Sequence, residues 1–185
     1  MSTALLPTAA DSWIDDDKLF EVIDGVRVEQ FMSAENVFLA NELSQQIGAF
    51  ARPKNLGRSV VEILFELPLS DRSRNRRPDV AFVADERWPR TRPIPSQGNA
   101  WAVVPNLAVE FVSPTEQADE LMDKVRDFLD AGVQCVWLVY TRQRFVLELE
   151  SFSRVRGLTE ADELDGKSFL PGFRIPVTSL FQPRP

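Results

Sequence analysis

The 185-residue chain reads as an α/β (α+β) domain, a mixed sheet with helices on its faces. Three observations predict this. Short apolar runs rich in Val and Phe are bounded by polar or proline-containing turns, as strands are. Two segments repeat apolar residues at helical spacing. The elements follow in the order hairpin, helix, several strands, helix, strands, which suits a sheet covered by helices.

Residues 1–17 are polar and acidic, include Asp15, Asp16 and Asp17, and are expected to be loosely ordered. A single domain is expected over 18–185. Residues 19–23 and 26–31 flank Asp24-Gly25, a strong signal for a two-residue hairpin. Val37, Ala40, Leu43, Ile47 and Phe50 predict a helix over about 34–50. A long strand is expected over 59–69, with Glu62 and Glu66 on its solvent face and Ile63, Phe65 and Leu67 on the other. Arg72–Arg77 forms a basic turn before a strand over 78–83. Residues 85–105 hold Pro89, Pro93, Pro95, Gly98 and Pro105 and read as a long irregular loop, a length that is often functional. A strand over 106–113 precedes a helix over 117–131, capped by Ser113 or Thr115 and ending before Gly132. A second hairpin joins 134–141 to 144–150, and Leu170-Pro171-Gly172-Phe173 leads into a short tail strand.

Composition narrows the chemistry. Hydrophobic residues make up 44% and charged residues 26% of the chain, as in soluble globular proteins. No apolar run approaches the roughly 18 residues needed to span a membrane, and the N-terminus does not read as a secretory signal. The single cysteine, Cys135, lies within the apolar run 133–139; a reduced core residue in a cytoplasmic protein is expected. The chain has no histidine. That excludes Ser-His-Asp and Cys-His catalysis, zinc hydrolysis on histidines and histidine-based nuclease chemistry. Any metal site must be built from oxygen atoms, which favours Mg²⁺, Mn²⁺ or Ca²⁺.

Two carboxylates are the anomaly. Asp79 opens the run Asp79-Val80-Ala81-Phe82-Val83, and Glu110 interrupts Leu107-Ala108-Val109-Glu110-Phe111-Val112. An isolated carboxylate in a buried strand is costly unless it is paired, protonated or bound to metal. Strand alternation puts Glu110 on one face with Ala108 and Val112. Adjacent strands would let Asp79 and Glu110 share one divalent cation, able to polarise a phosphodiester and activate water. A lysine usually completes such a set, two residues after the glutamate, but that position is Val112. On the following helix Lys124 sits at the edge of the stripe Leu121, Met122, Val125, Phe128 and Leu129. It can reach inward to the carboxylates or pair at the surface with Glu120.

The net charge of −7 argues against a general nucleic-acid binder. Arg72, Arg74, Arg76 and Arg77 nevertheless cluster before Asp79, and Arg87, Arg90 and Arg92 surround Trp88. Arg74, Arg76 and Arg77 can hold a phosphate backbone beside an acidic site, or be solvated loop residues. Trp137 reads as core; Trp88 and Trp101 suit base stacking or loop packing. Ser113 suits phosphate binding at a helix start or capping. A carboxylate-pair sugar hydrolase finds no further support.

The order of motifs carries a resemblance. Arg77-Pro78-Asp79-Val80 is followed by Val109-Glu110-Phe111-Val112-Ser113-Pro114-Thr115, then by Asp119 with Lys124. Ala131-Gly132-Val133, Val136-Trp137-Leu138-Val139, Leu170-Pro171-Gly172-Phe173 and Leu180-Phe181 complete the series. From about residue 18 to the C-terminus the chain resembles the Uma-two family of the PD-(D/E)XK nuclease superfamily. The resemblance implies a restriction-endonuclease-like fold, with a mixed central sheet flanked by helices, and a metal-dependent nuclease acting on DNA with Mg²⁺ or Mn²⁺. It implies that Asp79 and Glu110 are metal ligands and that the Val112 carbonyl faces the metal. Lys124 matches the lysine that family members carry on the helix after the glutamate strand. Two positions depart from the pattern: Glu35-Asn36 stands where members often have a histidine, and Phe128 where they often have tyrosine. The alternative is a catalytically inactive relative that binds nucleic acid or serves assembly. Cutting both strands of a duplex would benefit from two sites. A homodimer through strand 59–69 and the C-terminal hairpin is therefore expected.

Overall fold

The computed structural model describes residues 19–29, 32–72, 74–96, 100–114 and 116–181. The acidic N-terminal stretch and Thr115 lie outside these residues.

The centre is a six-stranded sheet built from β3 (Gly57–Val61), β6 (Val80–Ala84), β7 (Leu107–Phe111), β8 (Cys135–Tyr140), β9 (Phe145–Ser151) and β10 (Arg154–Leu158), in the order β10-β9-β8-β7-β6-β3. β7 and β8 run parallel, and the other neighbours are antiparallel. The parallel pair requires a crossover, and helix α2 (Ala118–Ala131) supplies it. Gly132 closes that helix at φ 96°, a left-handed conformation that glycine reaches without a Cβ clash. The helix start differs from expectation. Gln117 holds the N-cap position without a side-chain bond, so Ser113 does not cap it.

Each face of the sheet buries its own core. Val80, Phe82, Leu107, Val109 and Phe111 pack beneath helix α1 (Ala34–Ala51) through Ala40, Leu43 and Ile47. Ala81, Val83, Ala108, Val136 and Leu138 pack beneath α2 through Leu121, Val125 and Phe128. Leu43, Ile47, Val125 and Phe128 are fully buried. Each such side chain contributes roughly 1.5–3 kcal/mol of transfer free energy. Ser33 caps α1 by accepting a bond from the Asn36 N–H at 3.1 Å.

A smaller four-stranded sheet, in the order β2-β1-β5-β4, flanks this body. β1 (Phe20–Ile23) and β2 (Val26–Glu29) form the expected hairpin. Asp24 (φ 49°) and Gly25 (φ 77°) both adopt the left-handed backbone of its turn, as a tight primed turn demands. Two expectations are corrected here. The strand expected over 59–69 is two: β3 ends at Val61, and β4 (Phe65–Leu67) joins the other sheet. The break falls at Glu62, whose φ is 55°, a backbone region that interrupts a strand. The basic stretch is not only a turn, since β5 (Arg74–Arg76) pairs with both β1 and β4. A third pair, β11 (Glu163–Asp165) and β12 (Arg174–Pro176), precedes the C-terminal turn.

The loop between β6 and β7 packs inward. Trp88 and Trp101 are both buried, with ring centroids 5.4 Å apart in an edge-on arrangement. Trp101 also stacks on Phe65. Loop packing, not base stacking, is their role. Trp137 and the free Cys135 are core residues. Among the described residues no helix is long and apolar enough to cross a membrane.

Candidate active site

The pairing of β6 with β7 matches Val80 with Val109 and Ala81 with Ala108. Continuing it by one residue sets Asp79 opposite Glu110. Alternation then turns both carboxylates toward the α2 face, where Ala81 and Ala108 also point. Asp79 is 7% exposed and Glu110 3%. The Phe111 N–H donates to Asp79 Oδ2 at 2.6 Å, locking the end of β7 to the start of β6.

Lys124 reaches inward. It sits among the buried residues of α2, and its Nζ donates to Glu110 Oε2 at 2.7 Å. The same ammonium lies 3.4 Å from Glu21 Oε1. The surface pairing with Glu120 is not formed. Glu110 Oε2 is thereby satisfied, while Glu110 Oε1 is buried without a hydrogen-bond partner.

The arginines expected to meet nucleic acid are drawn into the protein to different degrees. Arg76 is buried; it donates from Nη1 to Glu21 Oε2 at 2.8 Å, and from Nε and Nη2 to Asp127 Oδ2. Arg74 bonds Asp127 and Asp24. Arg72 bonds Asp71, Asp127 and Asp130. Arg77 is different: its guanidinium donates to two backbone carbonyls, those of Phe20 and Glu62. Val112 follows the last residue of β7, and its N–H donates to the Val139 carbonyl at 2.9 Å. Asn36, in the stretch where a histidine is often found, donates to the Phe111 carbonyl at 3.1 Å. Glu35 is exposed.

Four further residues belong to this constellation. Glu21 on β1 is 1% exposed and accepts from the Arg77 N–H at 2.8 Å. Asp127 is buried one helical turn beyond Lys124. Glu116 lines the cleft before α2. Glu62, expected at a solvent face, turns into the cleft, where its Oε1 is buried without a partner. For Glu21, strand alternation pointed away from burial, since it puts Glu21 on the face opposite Phe20 and Val22; β1 is buried on both faces, which only the tertiary packing decides. Glu62 carried no signal either, because its inward turn depends on the break after β3.

Glu21, Glu62, Asp79, Glu110, Glu116 and Lys124 line a cleft of about 480 Å³, and burial shapes the protonation of several of them. Asp79 is pushed up to about 6 by burial, against the pull of Lys124 and the Phe111 N–H. Glu62 is pushed up to about 7 by burial and by Asp79. Glu110 is raised well above the ordinary carboxylate range by burial, with Asp79 and Glu21 adding to it and Lys124 opposing. For Lys124, burial favours the neutral amine, but Glu110, Glu21 and Asp79 outweigh it and hold the ammonium charged.

Asp79 and Glu110 are the oxygen donors that could hold a hard cation here. Among the described residues no three side chains of the acidic or cysteine type converge closely enough to hold a metal by themselves. Two carboxylates, with water completing the shell, fit Mg²⁺, which commonly binds through one or two carboxylates and keeps several waters. The unpartnered Glu110 Oε1 is the atom such an ion would satisfy.

Comparisons with known proteins bear on the family and the fold. The Uma2 family, described as "Putative restriction endonuclease", matches residues 7–178. Among solved structures, the chain is similar to the crystal structure of "a putative nuclease belonging to DUF820" from Anabaena variabilis ATCC 29413. The TM-score is 0.77 at 17% identity, over 95% of this chain and 98% of that one. At that identity the likeness is one of fold. No curated protein matches the chain.

Proposed function

Because this chain belongs to the Uma2 family, we propose that it is a divalent-metal-dependent endonuclease that hydrolyses phosphodiester bonds in DNA. The observation that carries the reading is the placing of Asp79 and Glu110 on one buried face, with the Lys124 ammonium 2.7 Å from Glu110. Asp79 and Glu110 are the residues that would hold Mg²⁺ or Mn²⁺, with the Val112 carbonyl as a further oxygen donor. When bound, such an ion polarises the scissile phosphate and acidifies a neighbouring water.

The chain's own residues supply the rest. Lys124 stays protonated among its carboxylates and faces the negative charge that develops on phosphate oxygens in the transition state, where a preorganised cation is most effective. The Phe111 N–H fixes the Asp79 carboxylate through Oδ2, so its aim does not depend on a flexible rotamer. Arg77 and Arg74 line the cleft and are placed to contact the phosphate backbone. Arg77 is the better suited, because the hydrogen-bond partners of its guanidinium are neutral carbonyls. Arg76 bonds two buried carboxylates and acts in our reading by positioning them.

The expected dimer concerns the sheet edges. β3 and β10 are the end strands of the large sheet, and Phe152 just before β10 and Val155 within it are half exposed. A homodimer across β10 would give a duplex two sites. Sedimentation of the purified protein reports on that directly.

The test of function is cleavage of plasmid and linear DNA by purified protein with Mg²⁺ or Mn²⁺, alongside Asp79→Ala and Glu110→Ala. Metal-dependent cutting, lost in both variants, is expected. If the wild type binds DNA but never cuts it, the inactive, nucleic-acid-binding relative is the correct reading.

A further inference from the structure

We propose that Glu21 is a positioning residue that receives the Lys124 ammonium when a divalent cation takes Glu110. The inference rests on the metal reading above and extends it to the residue that frees the site for the ion.

Lys124 now occupies the position of a counter-ion. Its Nζ is 2.7 Å from Glu110 Oε2 and 3.4 Å from Glu21 Oε1, so one ammonium lies between two buried carboxylates. Only one of them is free to turn. Glu21 Oε1 already accepts from the Arg77 N–H, and Oε2 from Arg76 Nη1, both at 2.8 Å. Arg76 is itself pinned by Asp127 on α2, the helix that carries Lys124. Glu21 is thus a fixed acceptor, tied to the Arg77 backbone and, through Arg76 and Asp127, to α2. Glu110 has an unpartnered oxygen and a single bonded one, so its carboxylate can be surrendered.

Ammonium and cation compete for the same carboxylate. Lys124 would shift from Glu110 toward Glu21, closing the 3.4 Å separation to a direct bond. It would remain charged and beside the reacting phosphate. Glu62 and Glu116 also face Lys124 across the cleft, but, Glu110 aside, Glu21 is the carboxylate within 3.4 Å of it. Without Glu21 the displaced ammonium would lose its nearest remaining counter-charge, and metal binding would carry that cost. Glu21 offers no free oxygen for a metal of its own, in keeping with the absence among the described residues of a three-carboxylate metal cluster.

The test is a double-mutant cycle on Mn²⁺ affinity, measured by calorimetry at pH 8.5 in wild type, Glu21→Gln, Lys124→Met and the double variant. Folding of each is checked by circular dichroism. Lys124→Met is expected to bind Mn²⁺ roughly fivefold or more tightly than wild type, since a competing cation is gone; couplings of about this size are ordinary between linked sites. Glu21→Gln is expected to weaken binding by a similar factor, and to have a much smaller effect in the Lys124→Met background. The same loss in both backgrounds would overturn the inference and leave the metal site standing. So would unchanged or weaker binding by Lys124→Met alone, which settles the point even if Glu21→Gln does not fold. No Mn²⁺ binding by any of the four would sink the metal reading itself.

Discussion

Replacing Asp79 by asparagine should make the metal-free protein more stable while abolishing its chemistry. Asp79 is 7% exposed, and burial pushes its carboxyl up to about 6 from an ordinary value of 3.8. The folded chain therefore holds this proton more tightly than the unfolded chain does. The stabilisation is fully present below the unfolded value and is lost as pH rises through about 6. Above that pH the ionised carboxylate costs the fold about 3 kcal/mol, from two units at about 1.4 kcal/mol each. Asparagine removes the charge yet keeps an oxygen to accept the Phe111 N–H. In EDTA at pH 8 the variant should gain up to about 3 kcal/mol, or roughly 6–12 °C in melting temperature for a chain of this size. Below pH 4 the two proteins should converge. Urea unfolding at a series of pH values measures this, with equal m-values as the control. A variant less stable at pH 8, or a difference that does not change with pH, would refute the reasoning. Added Mn²⁺ should stabilise the wild type and not the variant, because a ligand stabilises only the state that binds it.

Lys124→Met strands Glu110 as a buried carboxylate without its bonded cation; a loss of about 3–5 kcal/mol is expected, read by urea unfolding at pH 8, together with a fall in cleavage of roughly 10²–10³. Mn²⁺ affinity should rise from pH 5 to pH 8 with release of protons, because Asp79, pushed up to about 6, and Glu110, held above the ordinary carboxylate range, must ionise to take the cation; calorimetry in buffers of different ionisation heat shows it. Arg77→Ala should lower the salt dependence of DNA binding by about one phosphate contact. Arg76→Met should act on stability instead, costing about 3–5 kcal/mol by removing the buried cation that bridges Glu21 and Asp127, and comparing salt titrations with melting curves separates the two.

Much of this site was legible in the sequence, and the reasons are physical. A carboxylate inside a run of Val and Phe violates strand composition, so Asp79 and Glu110 stood out. Period-two alternation then turned Glu110 toward the face that carries Ala108. The helical stripe placed Lys124 at its edge but left its direction open. Contact with Glu110 and Glu21, 14 and more than 100 residues away in sequence, decided it. Long range also explains the arginines. Arg72, Arg74 and Arg76 looked like a free basic turn, but their partners Asp127 and Asp130 come from α2, some 50 residues on. The break at Glu62 was invisible for a different reason. The left-handed backbone there is held by tertiary bonds: the Glu62 N–H donates to the backbone carbonyl of Asp79, and Arg77 donates to the Glu62 carbonyl. No glycine or proline marks it. The Asp24-Gly25 hairpin and the Gly132 helix end were legible because local chemistry alone dictates them.

The most direct test is cleavage of supercoiled DNA over a Mn²⁺ titration, by wild type and by Asp79→Asn shown to be folded. A carboxylate pair that holds the catalytic ion predicts metal-dependent nicking by the wild type, stopped by EDTA, and none by the variant at any Mn²⁺ concentration. Equal cleavage by both proteins, or no cleavage by a wild type that also binds no Mn²⁺, would contradict it.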